Sequence, residues 1–290
     1  MRSSPTSRLA FLAAAFVAGG AMIATAQQKN EPLTMGPARE RGASITPAFE
    51  GWYENQDGSF SLLIGYYNRN TKEALDIPIG PNNRIEPGAP DQGQPTHFET
   101  GRQWGVFVIK VPKDFGKQKL TWTIVANGEV QSIPFTLNPG YPITPFKELG
   151  MGNEPPKLAF SEGGAKVTGP PTTIASTLTA KAGQPTPIQV WVEDPKPEGE
   201  GSEGAAPRRG GGGGSVANVS VHKFRGPGEV TFDKARFPVS KQGELVTATA
   251  TFSAPGEYLI RVQANDESGE GGGGFQCCWT NVIVKVTVTP

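Results

Sequence analysis

Two cysteines, two histidines and four methionines among 290 residues leave little material for several kinds of chemistry. Cys277 and Cys278 are neighbours, so a framework of spaced disulfide bridges is excluded. His97 and His222 fall in different halves of the chain, which rules out a multi-histidine metal site within one domain. No G-x-S-x-G turn marks a serine nucleophile, so each histidine reads as an ordinary packed or surface residue. Excess charge of either sign is also missing, with 27 Lys plus Arg against 27 Asp plus Glu. Nucleic acids and anionic membranes both require clustered positive charge, and neither is an expected partner. Long apolar runs are absent after the first 26 residues, and amphipathic helical periodicity is nearly so.

The first 26 residues form the pattern of a secretory signal. Arg2 and Arg8 supply the positive region, Leu9 to Ile23 is apolar and Ala-rich, and Ala24-Thr25-Ala26 gives a cleavage site before Gln27. Gly19-Gly20 interrupts a stretch already short for a bilayer span, and no Cys follows the cleavage site to carry a lipid. The mature protein is therefore expected to be exported, periplasmic or extracellular, without an integral membrane segment. What remains is long enough for two domains.

Gly (38) and Pro (27) are well above their ordinary share, which implies many turns. The expected fold class is all-β: two β-sandwich, Ig-like domains joined by a Pro/Gly-rich linker. Residues 27–46 read as a flexible N-terminus, 47–139 as the first domain, 140–171 as the linker and 172–290 as the second domain. In the first domain, strands are expected at Ser59–Tyr66, Trp104–Val111, Leu120–Ala126 and Gln131–Leu137, with Asn127-Gly128 as a two-residue hairpin turn. Sandwich and small barrel both fit this half. Ile77 to Pro95 reads as a long irregular loop. Seven short strands are expected in the second domain, the last alternating Val282, Val284, Val286 and Val288 against Lys285, Thr287 and Thr289.

The run Gly226-Pro-Gly-Glu-Val-Thr-Phe232, with Thr251-Phe-Ser-Ala-Pro-Gly-Glu-Tyr-Leu-Ile-Arg-Val-Gln-Ala-Asn-Asp266 after it, resembles the PKD-like immunoglobulin-like domain. The resemblance covers about residues 180–290. It departs at Val219–Phe224, where the family usually carries a Trp. It implies a β-sandwich that serves adhesion or interaction rather than catalysis.

Several residues are candidates for a site. Two glycine-rich tracts, Glu198–Ser215 and Glu267–Gly274, are expected at the same end of the second sandwich. The carboxylates around them offer a calcium site with Asp194 and Asp266 at the ordered strand ends, against the plainer reading of solvated loop tips; no DxDxDG spacing is present. No other cofactor is expected, since the glycine runs lack the ending of a phosphate loop. Three fates are open to Cys277 and Cys278: a vicinal disulfide, one buried thiol beside one exposed thiol, or a soft-metal or redox site. Trp52, Tyr53, Tyr66, Tyr67 and Trp104 offer rings for a carbohydrate platform, although strand aromatics also serve packing.

The reading these features support is an exported, non-enzymatic binding or structural protein of the cell surface or periplasm, with a protein or polysaccharide partner. A carbohydrate-binding accessory protein and a thiol-redox or metal-linked protein are the alternatives.

Overall fold

Alternating apolar and polar residues, broken every few positions by Gly or Pro, build the described residues of this chain into strands. The computed structural model describes residues 38–148, 152–195, 216–266 and 277–290, and every regular element among them is a β-strand. The expected signal segment and both glycine tracts lie outside the described residues.

The first sandwich holds β1 (Ile45–Glu54), β2 (Phe60–Asn68), β3 (Leu75–Asp76), β4 (Asn83–Glu86), β5 (His97–Phe98), β6 (Gly101–Val111), β7 (Leu120–Ala126) and β8 (Glu129–Phe135). One sheet runs β1-β2-β6 and another β4-β7-β8, with β3 paired to β5. Two separate three-stranded sheets make this half a sandwich rather than a closed barrel. Their facing side chains, among them Leu62, Ile64, Phe107, Trp122 and Phe135, form one core. Trp122 is packed by Phe98 and Phe107, and its buried indole N–H donates to Asn83 at 3.0 Å. The β7–β8 turn uses Asn127 and Gly128 at φ 51° and 80°, the left-handed pair that matches strand twist in a two-residue hairpin.

The second sandwich holds β9 (Lys157–Ala159), β10 (Ile174–Lys181), β11 (Thr186–Glu193), β12 (Ala217–Arg225), β13 (Val230–Phe232), β14 (Arg236–Val239), β15 (Glu244–Phe252), β16 (Gly256–Asp266) and β17 (Trp279–Thr289). Its sheets run β10-β17-β16-β12-β14 and β13-β15-β11-β9. With β10 parallel to β17 and β9 antiparallel to β11, this is an immunoglobulin-like strand order. Val219, Val221, Ile260, Val262, Val282 and Val284 face Val190, Val192, Val246 and Ala248 across the core. At the start of β16, Tyr258 packs on Phe252 and donates its hydroxyl to the Ala254 carbonyl at 2.8 Å, the tyrosine corner of such sandwiches.

Several segments differ from their expected form. Strand β1 starts inside the stretch read as flexible, and Ile45 is fully buried. Lys157–Ala159, within the stretch read as a linker, is an edge strand of the second sandwich. Ahead of it, Tyr141 and Ile143 exchange backbone hydrogen bonds with Trp52 of β1. Ile77–Pro95 is not a free loop: it contains β4, and Asn83 inside it is fully buried, its amide donating to the Ile77 and Pro95 carbonyls.

Tyr258→Phe removes only the corner hydrogen bond. It is expected to cost about 1 kcal/mol in urea unfolding, with the m-value unchanged.

Candidate functional site

The outer face of β12, β16 and β17 changes character along its length. Registry places His222 beside Arg261 and Arg261 beside Ile283, with Gln263 beside Asn281 and Asn265 beside Trp279. Arg261, Gln263, Asn265, Trp279, Asn281 and Ile283 are all buried, because the first sandwich covers them. Phe224 and Ile283 belong to the first sandwich's core, and Leu259 packs against it.

Polar side chains line the same seam. Asn281 donates to the Trp104 and Gly105 carbonyls, each at 3.0 Å, and Arg261 donates to Gln103. Arg225 forks onto both oxygens of Asp91 and also donates to the Gln94 carbonyl, while the Thr96 amide donates to the Phe224 carbonyl at 3.1 Å. Gly105, at φ 50°, is the seat of Trp279: a Cβ there would lie 1.8 Å from the indole ring. No other residue type permits this approach.

At one side of the seam the two histidines converge. His97 Nδ1 lies 3.0 Å from Asp76 Oδ1, and its Nε2 lies 3.4 Å from Glu99 Oε1. His222 Nδ1 is 3.7 Å from the same Glu99 oxygen, and Lys223 Nζ is 3.0 Å from Asp76. The Lys223 side chain is only 5% exposed. Burial disfavours charge on His97, yet hydrogen bonds to Asp76 and Glu99 outweigh it and raise its pKa to about 9. Burial likewise acts to raise Glu99, but the two histidines hold it well below the usual carboxylate range. Beside this cluster a cleft of about 460 Å³ is lined by Asp76, Lys223, Glu257 and Gly226-Pro227-Gly228. Sequence reasoning kept the histidines apart because they lie in different sandwiches. Only the docking of β5 on β12 brings them together.

A second charged group, Glu50 of β1, is buried in the seam. Its side chain is 1% exposed, it pairs with Arg102 at 2.8 Å, and it accepts the Gly105 amide at 2.9 Å. Burial raises its pKa to about 7 despite those partners.

The sequence candidates fall as follows. Cys277 and Cys278 form a vicinal disulfide, 6% and 2% exposed, with both sulfurs against the Asn153 carbonyl. The Asn153 amide also bonds the Asp266 carboxylate, and the Asp266 amide donates to the Cys278 carbonyl, so these three candidates share one neighbourhood. Asp194 is held through its backbone by Gln242. Among the described residues, no three His, Cys, Asp or Glu side chains are grouped to hold a metal ion. Of the aromatic candidates, Tyr53 and Tyr66 are buried, while Trp52, Tyr67 and Trp104 are half-buried. The Arg102 guanidinium lies 3.8 Å from the Trp104 ring centre, and the Trp52 N–H donates to the Asn138 carbonyl. Tyr141, 57% exposed and not among the candidates, is more open than all of them.

No protein-family model matches the chain, and neither does any curated protein. Among solved structures it is similar to domains 4 and 5 of the S-layer protein SbsC, at 13% identity over 86% of this chain and 98% of that one, with a TM-score of 0.25. It is similar also to the D00-D0 domain of intimin (11% identity, 85% and 100% covered, TM-score 0.27). A third is the Yersinia pseudotuberculosis adhesin InvE (9% identity, 84% and 58% covered, TM-score 0.24). The fold assignment rests on the strand order itself.

Gly105→Ala is expected to cost about 2–4 kcal/mol, from overpacking and left-handed backbone strain. Most of the overpacking part should vanish in a Trp279→Ala background, a coupling that a double-mutant cycle in urea reads directly. His97 gives a second expectation. Its folded pKa lies above the ordinary 6.5, so its stabilisation is full below pH 6.5 and is lost as pH rises through about 9. Unfolding free energies from urea titrations at pH 6.5 and pH 10 should differ by on the order of 2 kcal/mol more in the parent than in His97→Gln.

Proposed function

We propose that this chain is an exported, non-enzymatic binding or structural module of the cell surface or periplasm. In this reading residues 1–26 are a cleaved signal, and the second sandwich is a PKD-like domain that engages a protein or polysaccharide partner. The observation that carries the reading is the shared seam. The first sandwich covers the face of β12, β16 and β17, and side chains of those strands complete its core. Such a seam makes one stiff body from two sandwiches, which suits a spacer or a presenting scaffold. A hinge that opens and closes on a substrate calls for the reverse, a small and wet interface.

The clefts at the edges of the seam are open, and the paired side chains around them are engaged with one another. His97 is bound to Asp76 and Glu99, and His222 and Lys223 of the second sandwich reach the same two carboxylates, so the cluster holds the two sandwiches together rather than standing ready for a substrate.

Two measurements test the reading together. Fractionation of the source cells, with N-terminal sequencing, should find the chain outside the cytoplasm and beginning at Gln27; a cytoplasmic chain that retains Met1 would overturn it. Calorimetry of the mature protein should show one transition, because the first sandwich's core includes Phe224 and Ile283 of the second, and the first sandwich covers the second's buried outer face. Two well-separated transitions would remove the stiff-scaffold argument.

A further inference from the structure

Where the tip of the β1–β2 hairpin meets the residues leading into β10, a cleft of about 520 Å³ opens between the two sandwiches. Asn55, Gln56 and Asp57 of the hairpin, Ser61 of β2 and Val108 and Lys110 of β6 form one side, and Thr172 and Thr173 form the other. None of the five aromatic candidates lines it. Its polar groups orient one another. Ser61 donates to the Asn55 side-chain carbonyl at 3.0 Å, and the Asn55 amide donates to Ser59 at 2.9 Å. Ser59 in turn donates to Asp57 Oδ1, while Lys110 donates to Asp57 Oδ2 at 2.7 Å. All of these bonds run toward Asp57. The Ser61 oxygen and the Asp57 carboxylate are thus left as acceptors, and the spare N–H groups of Asn55 and Lys110 as donors. Across the cleft, the backbone ahead of Thr172 is fixed to β17: the Gly169 amide donates to Thr280 and its carbonyl accepts the Asn281 amide, each at 3.0 Å. The Thr172 and Thr173 hydroxyls and the Gln56 amide make no hydrogen bond among the described residues.

We propose that this cleft binds a neutral glycan, seating vicinal hydroxyls between Asn55, Asp57 and Lys110 on one side and Thr172 and Thr173 on the other. The inference rests on the polysaccharide-partner reading above and gives that partner a place and a charge. Fixed donors and acceptors set side by side favour a group that gives and takes a hydrogen bond at once, as a hydroxyl does. An anionic ligand would meet the Asp57 carboxylate and a cationic one the Lys110 ammonium, and because the two are paired neither ligand gains. A metal ion would find a single carboxylate where a hard cation takes several oxygen ligands. Val108 and the threonine methyls supply a small apolar floor for the C–H face of a sugar ring. The two walls come from different sandwiches, so the seam that fixes the sandwiches also fixes the width of the cleft. An open site of this kind binds weakly on its own and suits a repeating polymer, on which many weak contacts add.

Affinity gel electrophoresis of the full mature protein, in gels carrying a neutral β-glucan, mannan, arabinoxylan or galactan, tests the inference. Anionic polygalacturonate and cationic DEAE-dextran serve as charge controls. At least one neutral polysaccharide should retard the parent. Asp57→Ala should weaken that affinity about tenfold and Thr173→Val about fivefold, as expected on removing a charged and a neutral hydrogen-bond partner. Thr173→Val keeps the side-chain shape and breaks no internal hydrogen bond, so it decides where Asp57→Ala disturbs the hairpin. Retardation by the charged polymers alone, or unchanged migration in every gel, overturns the glycan cleft. Retardation by a neutral polysaccharide that is undiminished in both variants overturns it too, since the polymer then binds elsewhere on the chain. The exported-scaffold reading fails separately, through the fractionation and calorimetry described above.

Discussion

The contact between Trp279 and the bare Cα of Gly105 is the constraint on which the joined structure depends. A buried indole from one sandwich rests where the other has no side chain, and the left-handed backbone at Gly105 makes that seat. The neighbouring interactions radiate from it. The Gly105 amide is held by Glu50 and its carbonyl by Asn281; two residues earlier Gln103 receives Arg261, and the residue before that pairs with Glu50. A shift of β6 by one residue would break all of these at once.

The seam is notably polar for a surface so thoroughly buried. Charged groups removed from water cost several kcal/mol each unless paired, and paired ones roughly break even against apolar substitutes. Its ion pairs therefore add little net stability. What they add is discrimination: a hydrophobic face can slide on another, whereas Arg225 forked on Asp91 and Asn281 bonded to two successive carbonyls fit in one registration only. The apolar residues Phe224 and Ile283 supply the driving force, and the polar ring sets the relative placement.

Much of the second sandwich was legible because its signals are local. The Val282 to Val288 alternation, the Gly226-Pro-Gly turn and the strand after Pro255-Gly256 each follow from a handful of consecutive residues. Elements that depend on distant partners were not legible. Strand β9 is three residues long and exists only because β11 offers it an edge, and Pro238 masks β14. A register shift between Phe49 and Gly51 breaks the alternation of β1, which was not among the strands expected of the first domain. The adjacent aromatic pairs each place one ring inward, with Tyr53 and Tyr66 buried and Trp52 and Tyr67 half-buried. The site was less legible than the fold. The vicinal disulfide was among the fates considered, but the meeting of His97 with His222 across Glu99 leaves no trace in local pattern.

One long-range feature does leave such a trace, in the last strand. From Val282 to Val288 the even-numbered residues of β17 face the sandwich core. The odd-numbered ones begin as Trp279, Asn281 and Ile283 and end as Lys285, Thr287 and Thr289. The first three are buried and the last three are not. A strand of a free-standing sandwich has no reason to change its outward face midway, because water covers all of it. The switch from Ile283 to Lys285 therefore marks the border of a second body. Strand β16 repeats it in antiparallel sense, from exposed Glu257 to buried Arg261, Gln263 and Asn265. The covering is thus written in two strands, as a change of outward composition at matching registry. The identity of the covering body is not, because that requires knowing which glycine in another sheet leaves room for Trp279.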